Sequence, residues 1–424
     1  MLAIELIRND PKGVADALAK RGDSTSLEPI LDLDTERRQL ISSSDTLKAN
    51  RNEVSKKISQ IKGTERDRLI VEMRKVGEEI TEYDQKLGTL QTKLHRFLLE
   101  LPNLPMDNVP LGEGEEENIV VREWKTPKTF DFSPLPHWEL GEKLKIIDFK
   151  RGAKLAGSRF YVQVGCGARL ERALINFMLD QHVNNHGYTE MQLPSLVTQD
   201  VMEGSGNLPK FGDDLYRDNP SELWMIPTAE VPLTGLHREE ILPPGSLPKY
   251  YTSFTQCFRR EKTAAGRDTR GIKRVHQFNK VELYKFVEPS TAAQEFEKLV
   301  NNAEQICRLL ELPYRVLELC TGDLGFASSK TFDIEVWAPG SQEWLEVSSC
   351  SNCADFQSRR SNIRYRPKDR VPLIFPYTLN GSGLALPRVI IALLENGQQE
   401  DGSISLPDAL HPYTGFTTIT EPQG

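Results

Sequence analysis

The stretch FTQCFRREKTAAGRDTRGIKRVHQFNKVELYKF, Phe254 to Phe286, decides how the rest of the chain is read. It reads as two strands flanking a long polar loop. Side chains two apart share one face of a strand, so Arg259 and Glu261 are expected together on the first strand. His276, Phe278, Lys280 and Glu282 share a face of the second by the same rule. Lys262, Arg267, Arg270, Lys273 and Arg274 load the loop with cations against one acid, Asp268, and Gly266 and Gly271 let it bend. One sheet surface thus offers a guanidinium, two carboxylates and an aromatic ring beneath a basic loop. Such a set can grip a polyphosphate, a flat base and a small zwitterion together. A charged surface hairpin would carry the same residue types, so the neighbouring segments have to decide.

At 424 residues the chain can hold two or three domains. It has no run of about 18 apolar residues, so no membrane span is expected. The opening MLAIELIRNDPKG lacks a basic start and a long apolar stretch, which argues against a secretory signal. Six cysteines in this length make no disulfide framework, and cytoplasmic residence is expected. With a net charge of −8, a nucleic-acid partner needs a local basic patch. The loop between the two strands is one such patch, and the tip of an N-terminal arm is another.

Leu33, Leu40, Leu47, Val54 and Ile61 recur every seven residues. After Gly63 a second series runs through Leu69, Met73, Val76, Ile80, Tyr83, Leu87, Leu90, Leu94, Phe97 and Leu101, with spacings alternating between four and three. Both are coiled-coil seams. Two helices joined near Gly63 give an antiparallel hairpin over about residues 27–100, an arm on the order of 50 Å long at 1.5 Å per residue. Nine Lys or Arg against four acids fall between Lys48 and Lys75, a net +5. Lys48, Arg51, Lys56, Lys57 and Lys62 are the candidates for holding a phosphate backbone. The alternative is a dimerising coiled coil with a solvated charged face.

Residues 1–102 therefore form an N-terminal domain, the Pro- and acid-rich 103–136 a linker, and 137–424 one α+β domain. Gly167 to Gly187 reads as a helix with Leu170, Leu174, Phe177 and Met178 on one face. Tyr188 to Val197 is extended, and Pro194 places it at an edge or interface. The prolines of WMIPTAEVPL present Thr228 and Glu230 rigidly. Lys330 to Ser349 reads as a hairpin turning at Pro339-Gly340-Ser341. Glu346 is expected near the end of its returning strand, beside Ser348 and Ser349, where carboxylate and hydroxyls could hold Mg²⁺ with substrate phosphates. NGSG followed by Pro387 and Arg388 reads as a helix entry suited to a phosphate. Three other patterns are set aside. Gly152 to Arg159 lacks the P-loop lysine, His182 and His186 lack a third ligand for zinc, and Cys350 and Cys353 lack a second pair.

Taken in order, these motifs resemble the bacterial-type seryl-tRNA synthetases, a family of class II aminoacyl-tRNA synthetases. The helix with the Pro194 segment resembles motif 1, CFRREKTAAGRDTRGIKRVHQFNKVELYKF is similar to motif 2, and NGSGLALPRVIIALLEN resembles motif 3. The TAE triplet, CTGDLGF and EVSSCSNCADFQSRR resemble signatures of that family, so the resemblance covers nearly the whole chain. It implies an antiparallel sheet flanked by helices, dimerised through motif 1, behind an antiparallel two-helix coiled-coil arm. It also implies activation of L-serine by ATP to seryl-adenylate, then transfer to tRNA(Ser), with tRNA(Sec) left open as a second acceptor. The arm would clasp the long variable arm of the tRNA across the dimer.

Residue by residue, the resemblance makes Arg259 the bridge between the serine carboxylate and the α-phosphate. Glu261 would contact the adenine side, Phe278 would stack on adenine, and Arg388 would lie opposite it near the γ-phosphate. Arg260, Val275, Val347 and Ser348 would complete the ATP site, and Glu346 and Ser349 would hold Mg²⁺. Thr228, Ala229, Glu230, Arg259, Glu282 and Ser382 would form the serine pocket, with Glu282 facing the ammonium and hydroxyl. Asn279, where the family often has Asp, and Pro387, where Gly is common, depart from the pattern without touching these groups. An inactive paralogue, another AMP-forming ligase on the same fold and a coiled-coil interaction protein are the rival readings. The intact Arg259, Glu261, Glu282, Glu346 and Arg388 weigh against the first, and the arm against the second.

Overall fold

A computed structural model describes residues 1–262 and 270–422. The chain divides into two compact units. One comprises Leu2–Ala19 and Asp23–Pro102, and the other comprises Asn103–Gly424 with Met1 and Lys20–Gly22.

In the first unit, helices α1 (Glu28–Ile58) and α2 (Thr64–Glu100) pack together as the expected hairpin. Gly63 makes the turn with φ +86°, a conformation that side chains resist. Acids Glu65 and Asp67 open α2 and Lys56 and Lys57 close α1, each complementing its helix dipole. Met73, Ile80, Leu90 and Leu94 are buried, whereas Leu33, Leu40, Leu47 and Val54 are half-buried. Two helices alone cover only one side of each seam. One expected seam position fails near the base: Phe97 is exposed, with Leu98 and Leu99 buried beside it, although Leu101, the next of the series, is buried. Buried Asp34 receives Arg8 at 2.6 Å and Arg37 at 2.7 Å, which compensates a carboxylate that burial alone would make costly.

The second unit is built on an eight-stranded sheet. In chain order its strands are β1 (Ile119–Trp124), β2 (Thr189–Glu190), β3 (Lys249–Phe258), β4 (Gln277–Val287), β5 (Tyr314–Glu318), β6 (Lys330–Ala338), β7 (Glu343–Asn352) and β8 (Tyr377–Ala385). In space they run β1-β5-β6-β7-β8-β4-β3-β2. Every neighbouring pair is antiparallel except β2 with β3. Helices α3 (Cys166–Asn184), α4 (Ala292–Leu309) and α5 (Leu386–Gly397) pack on this sheet. From Lys280 to Val287, β4 is buried at every position, so polar side chains there need partners. Residues 103–136, expected as a linker, lie within this unit and supply the edge strand β1. The Asn103 amide secures the segment by donating to the carbonyls of Ala327 and Cys353, both at 2.9 Å.

Irregular pairing changes which residues of β7 and β8 share a face. On β7, Glu346 pairs with Glu335 but Ser348 pairs with Ile334, so Val347 is an extra residue. On β8, Ser382 pairs with Glu282 but Ala385 pairs with Lys280, so Gly383 and Leu384 together oppose Val281. Each β-bulge resets the alternation of faces.

Candidate active site

A cavity of about 550 Å³ opens along β4, β7 and β8. The bulges explain its lining. Residues three apart on a regular strand face opposite ways, yet Glu346 and Ser349 both line the cavity, as do Ser382 and Ala385. Glu346 thus reaches it from mid-strand, not from the strand end expected from the sequence.

At one end of the cavity is a cluster of buried charges. Lys280 Nζ lies 2.5 Å from Glu282 Oε2 and donates to Thr228 Oγ1 at 2.8 Å. The Thr228 hydroxyl donates to the same Glu282 oxygen at 2.8 Å. Glu230 Oε1 accepts from the Gln357 amide at 2.6 Å and the Asn380 amide at 3.1 Å. Burial and then the nearby Glu282 charge push the Glu230 carboxyl up to about 7. Two carboxylates against one lysine can take a ligand ammonium, and the amides and hydroxyls around them can read a hydroxyl. Thr228 and Glu230 stand where Ala229 leads into the short helix Glu230–Gly235, so a helix start, and not the prolines alone, presents them.

Beside this cluster, Arg259 donates from Nε to the Pro227 carbonyl at 3.2 Å and lays its guanidinium over the Phe278 ring at 5.1 Å. The strand expected to carry Arg259 and Glu261 stops at Phe258. Arg259 still pairs its main-chain N–H with the His276 carbonyl at 2.9 Å, but Glu261 turns into the left-handed region at φ +51°. There it meets Arg274 at 3.4 Å. Arg388 donates to the Glu346 carbonyl at 2.7 Å and faces its carboxylate at 3.3 Å. Behind Ser349, burial and the neighbouring Glu346 charge hold the Asp333 carboxyl well above the usual carboxylate range. Ser349 hydrogen-bonds this carboxyl, and among the described residues the buried Oδ1 of Asp333 has no hydrogen-bond partner.

Thr228, Glu230, Arg259, Glu261, Val275, Phe278, Glu282, Glu346, Ser349, Ser382 and Arg388 all line this one cavity. Four expected side chains lie away from it. Ala229 and Val347 are in the core, the latter as the bulge residue. Ser348 is buried with its hydroxyl on the Ser382 carbonyl at 2.6 Å. Arg260 turns to the Leu215 carbonyl at 2.8 Å and the Tyr216 ring. His276 leaves the face it was expected to share, because its Nδ1 meets the Arg259 carbonyl at 3.0 Å. Gly266, Arg267 and Asp268 lie outside the described residues. Lys280, Asn380 and Gln357 were given no role from the sequence. Lys280 stood on the correct face and Asn380 opens the NGSG run, but only the fold shows what they touch. His182 and His186 hydrogen-bond each other at 2.9 Å, and His182 also meets the Gly383 carbonyl at 2.9 Å. Cys350 and Cys353 are buried free thiols.

A largely antiparallel sheet with this cavity over its central strands defines a class II synthetase core. Residues 211–397 match the family described as tRNA synthetase class II core domain (G, H, P, S and T), and residues 1–105 match the Seryl-tRNA synthetase N-terminal domain. The serine--tRNA ligase of Thermomicrobium roseum is 57% identical, with 98% of this chain and 94% of the relative covered. That of Roseiflexus sp. is 54% identical, with 98% of each covered. The structure of seryl-tRNA synthetase from Pyrococcus horikoshii complexed with ATP superposes with a TM-score of 0.93 at 38% identity, over 100% of both chains. The chain belongs to the seryl-tRNA synthetase family.

Lys280→Met should leave the Glu282 charge buried without its cation and destabilise the protein by about 3–5 kcal/mol. Combining it with Glu282→Gln should recover most of that loss. Denaturant unfolding checks both, and a double variant as unstable as the single one would contradict the pairing.

Proposed function

We propose that the chain is a serine--tRNA ligase. A serine carboxylate oxygen attacks the α-phosphorus of ATP, pyrophosphate departs, and the 3′-terminal ribose hydroxyl of tRNA(Ser) then takes the seryl group with release of AMP. The observation that carries the reading is the joining, in one cavity, of a polar cluster (Thr228, Glu230, Lys280, Glu282, Ser382) to Arg259 and Arg388. Arg259 sits beside the Pro227 carbonyl that precedes Thr228 and over the Phe278 ring, where its guanidinium can neutralise both the attacking carboxylate and the α-phosphate. Phe278 offers a face for adenine, and Glu261 and Val275 line the same cavity. No covalent enzyme intermediate is required, so the chain's own contribution is alignment and charge neutralisation. Hydrogen bonding to the serine hydroxyl selects against alanine, because unpaired buried polar groups cost about 1–3 kcal/mol each.

Glu346 and Ser349 suit a hard divalent cation. They offer carboxylate and hydroxyl oxygens to the cavity, and behind Ser349 lies Asp333 Oδ1, which has no hydrogen-bond partner among the described residues. Bound there with ATP, Mg²⁺ would offset charge on the phosphates. The protein acts as a cytoplasmic homodimer with motif 1 at the interface. Among the described residues no helix is long and apolar enough to cross a membrane. The basic arm tip holds the long variable arm of tRNA(Ser). Lys56 and Lys62 are exposed there, Lys57 pairs with exposed Glu53, and Lys48 is tied to Asp84. Service of tRNA(Sec) would use the same arm.

The two ends of the chain should fail separately. Arg259→Ala is expected to lower serine-dependent ATP–pyrophosphate exchange by about 10²–10³ while leaving tRNA affinity unchanged. Replacing Lys56, Lys57 and Lys62 by Ala should weaken tRNA binding, reduce its log–log salt slope by up to about three and spare exchange. Equal loss of both activities in either variant would contradict this division.

The raised Glu230 adds a pH dependence. An ammonium beside Glu230 favours its ionised form, so serine binding should release protons near pH 7. Serine affinity should accordingly rise from about pH 6 to 8. Calorimetry in buffers of different ionisation enthalpy measures the release, and proton uptake, or affinity falling with pH, would contradict the assignment.

A further inference from the structure

A second buried polar cluster lies outside the lining of the cavity. His137 opens the helix His137–Lys143, and Glu395 lies on α5, with 2% and 0% of their surfaces exposed. The Glu395 carboxylate gathers four donors: the main-chain N–H groups of His137 and Ser341, both at 2.9 Å, the Ser341 hydroxyl at 2.7 Å, and His137 Nδ1 at 3.0 Å. On the other side of the ring, His137 Nε2 lies 3.1 Å from the main-chain nitrogen of Ile272. That nitrogen can only donate, so Nε2 carries a lone pair and the ring proton sits on Nδ1, facing the carboxylate. Gly271, at φ +68°, comes so close that a Cβ there would fall 1.9 Å from Nε2.

The three segments tied together here each continue into the cavity wall. Ile272 leads into Lys273, Arg274 and Val275, all of which line the cavity. Ser341 lies in the turn before β7, which carries Glu346 and Ser349. Glu395 follows Arg388 by about two helical turns on α5. Two further contacts brace the same place: Lys273 pairs with Glu343, and the Arg270 guanidinium lies over the Trp138 ring at 4.6 Å. Neither His137 nor Glu395 lines the cavity itself.

We infer that His137 and Glu395 are positioning residues for the nucleotide. Glu395 fixes the tautomer of His137, and the bare Nε2 then holds the loop base at Ile272, so that Lys273 to Val275 meet the triphosphate in register with Glu346 and Arg388. The inference rests on the reading of this cavity as an ATP site.

Asparagine and glutamine separate this role from simple filling of the core. His137→Asn keeps an N–H near the Nδ1 position but offers Ile272 no acceptor, whereas His137→Gln can place its carbonyl oxygen near the Nε2 position. His137→Asn should raise the KM for ATP about tenfold in serine-dependent exchange, leave the KM for serine within about twofold, and speed hydrogen exchange at the Ile272 amide. His137→Gln should restore the KM for ATP to within about threefold of the unaltered enzyme. Equal damage by the two variants, parallel changes in both KM values, or unchanged Ile272 exchange in His137→Asn would overturn the inference. Nitrogen-15 spectra of the unaltered protein test it without any variant: an Nδ1–H, bare-Nε2 ring is expected, and an Nε2–H ring would overturn it. Failure of the unaltered enzyme to exchange with serine would instead remove the ATP reading, while the ring tautomer and the Ile272 exchange would still judge the cluster.

Discussion

Glu282 places a carboxylate in the middle of a strand whose neighbouring residues are all buried. Such a charge is tolerated only where it is paired and hydrogen-bonded, and much of the surrounding structure meets that demand. Lys280, two residues earlier on the same face, supplies the cation. Thr228, at the start of a short helix from a different part of the chain, supplies a hydroxyl. Burial, and then the Glu282 charge of its own sign, raise the Glu230 carboxyl toward neutral pH. The result is a pocket whose electrostatics are set before any ligand arrives, the condition under which fixed dipoles and charges are most effective in catalysis.

The heptads of the arm, the hairpin around the basic loop and the polar entry to α5 were legible in the sequence, because each depends on residues close together in the chain. A period-2 reading placed Phe278, Lys280 and Glu282 on one face, and they share the cavity. The same rule could not bring Glu346 and Ser349 together, because it contains no bulges, and nothing in EWLEVSS marks Val347 as the extra residue. The partners of Glu230 were also hidden. Gln357 and Asn380 reach it from more than a hundred residues away, a closeness that only the completed sheet creates. Phe97 escaped for the opposite reason. Its spacing was right, but near the base burial passes to Leu98 and Leu99.

The chemistry is spread over a rigid frame, not concentrated in one reactive group. Arg259 is held by the Pro227 carbonyl and the Phe278 ring, Arg388 by Glu346, and the loop base by His137. A reaction that needs alignment and charge neutralisation is served by such supports, since small displacements of aligned groups cost rate steeply. The arm obeys a different physics. Its seams are half open and its tip is basic and solvated, features suited to a long-range, salt-sensitive grip on a polyanion.

The most direct measurement is ATP–pyrophosphate exchange by the purified protein with each of the standard amino acids in turn. The account predicts exchange with serine far above every other amino acid, alanine and threonine included. Exchange driven better by another amino acid would contradict the pocket built around Glu282, and no exchange with any of them would contradict the enzyme.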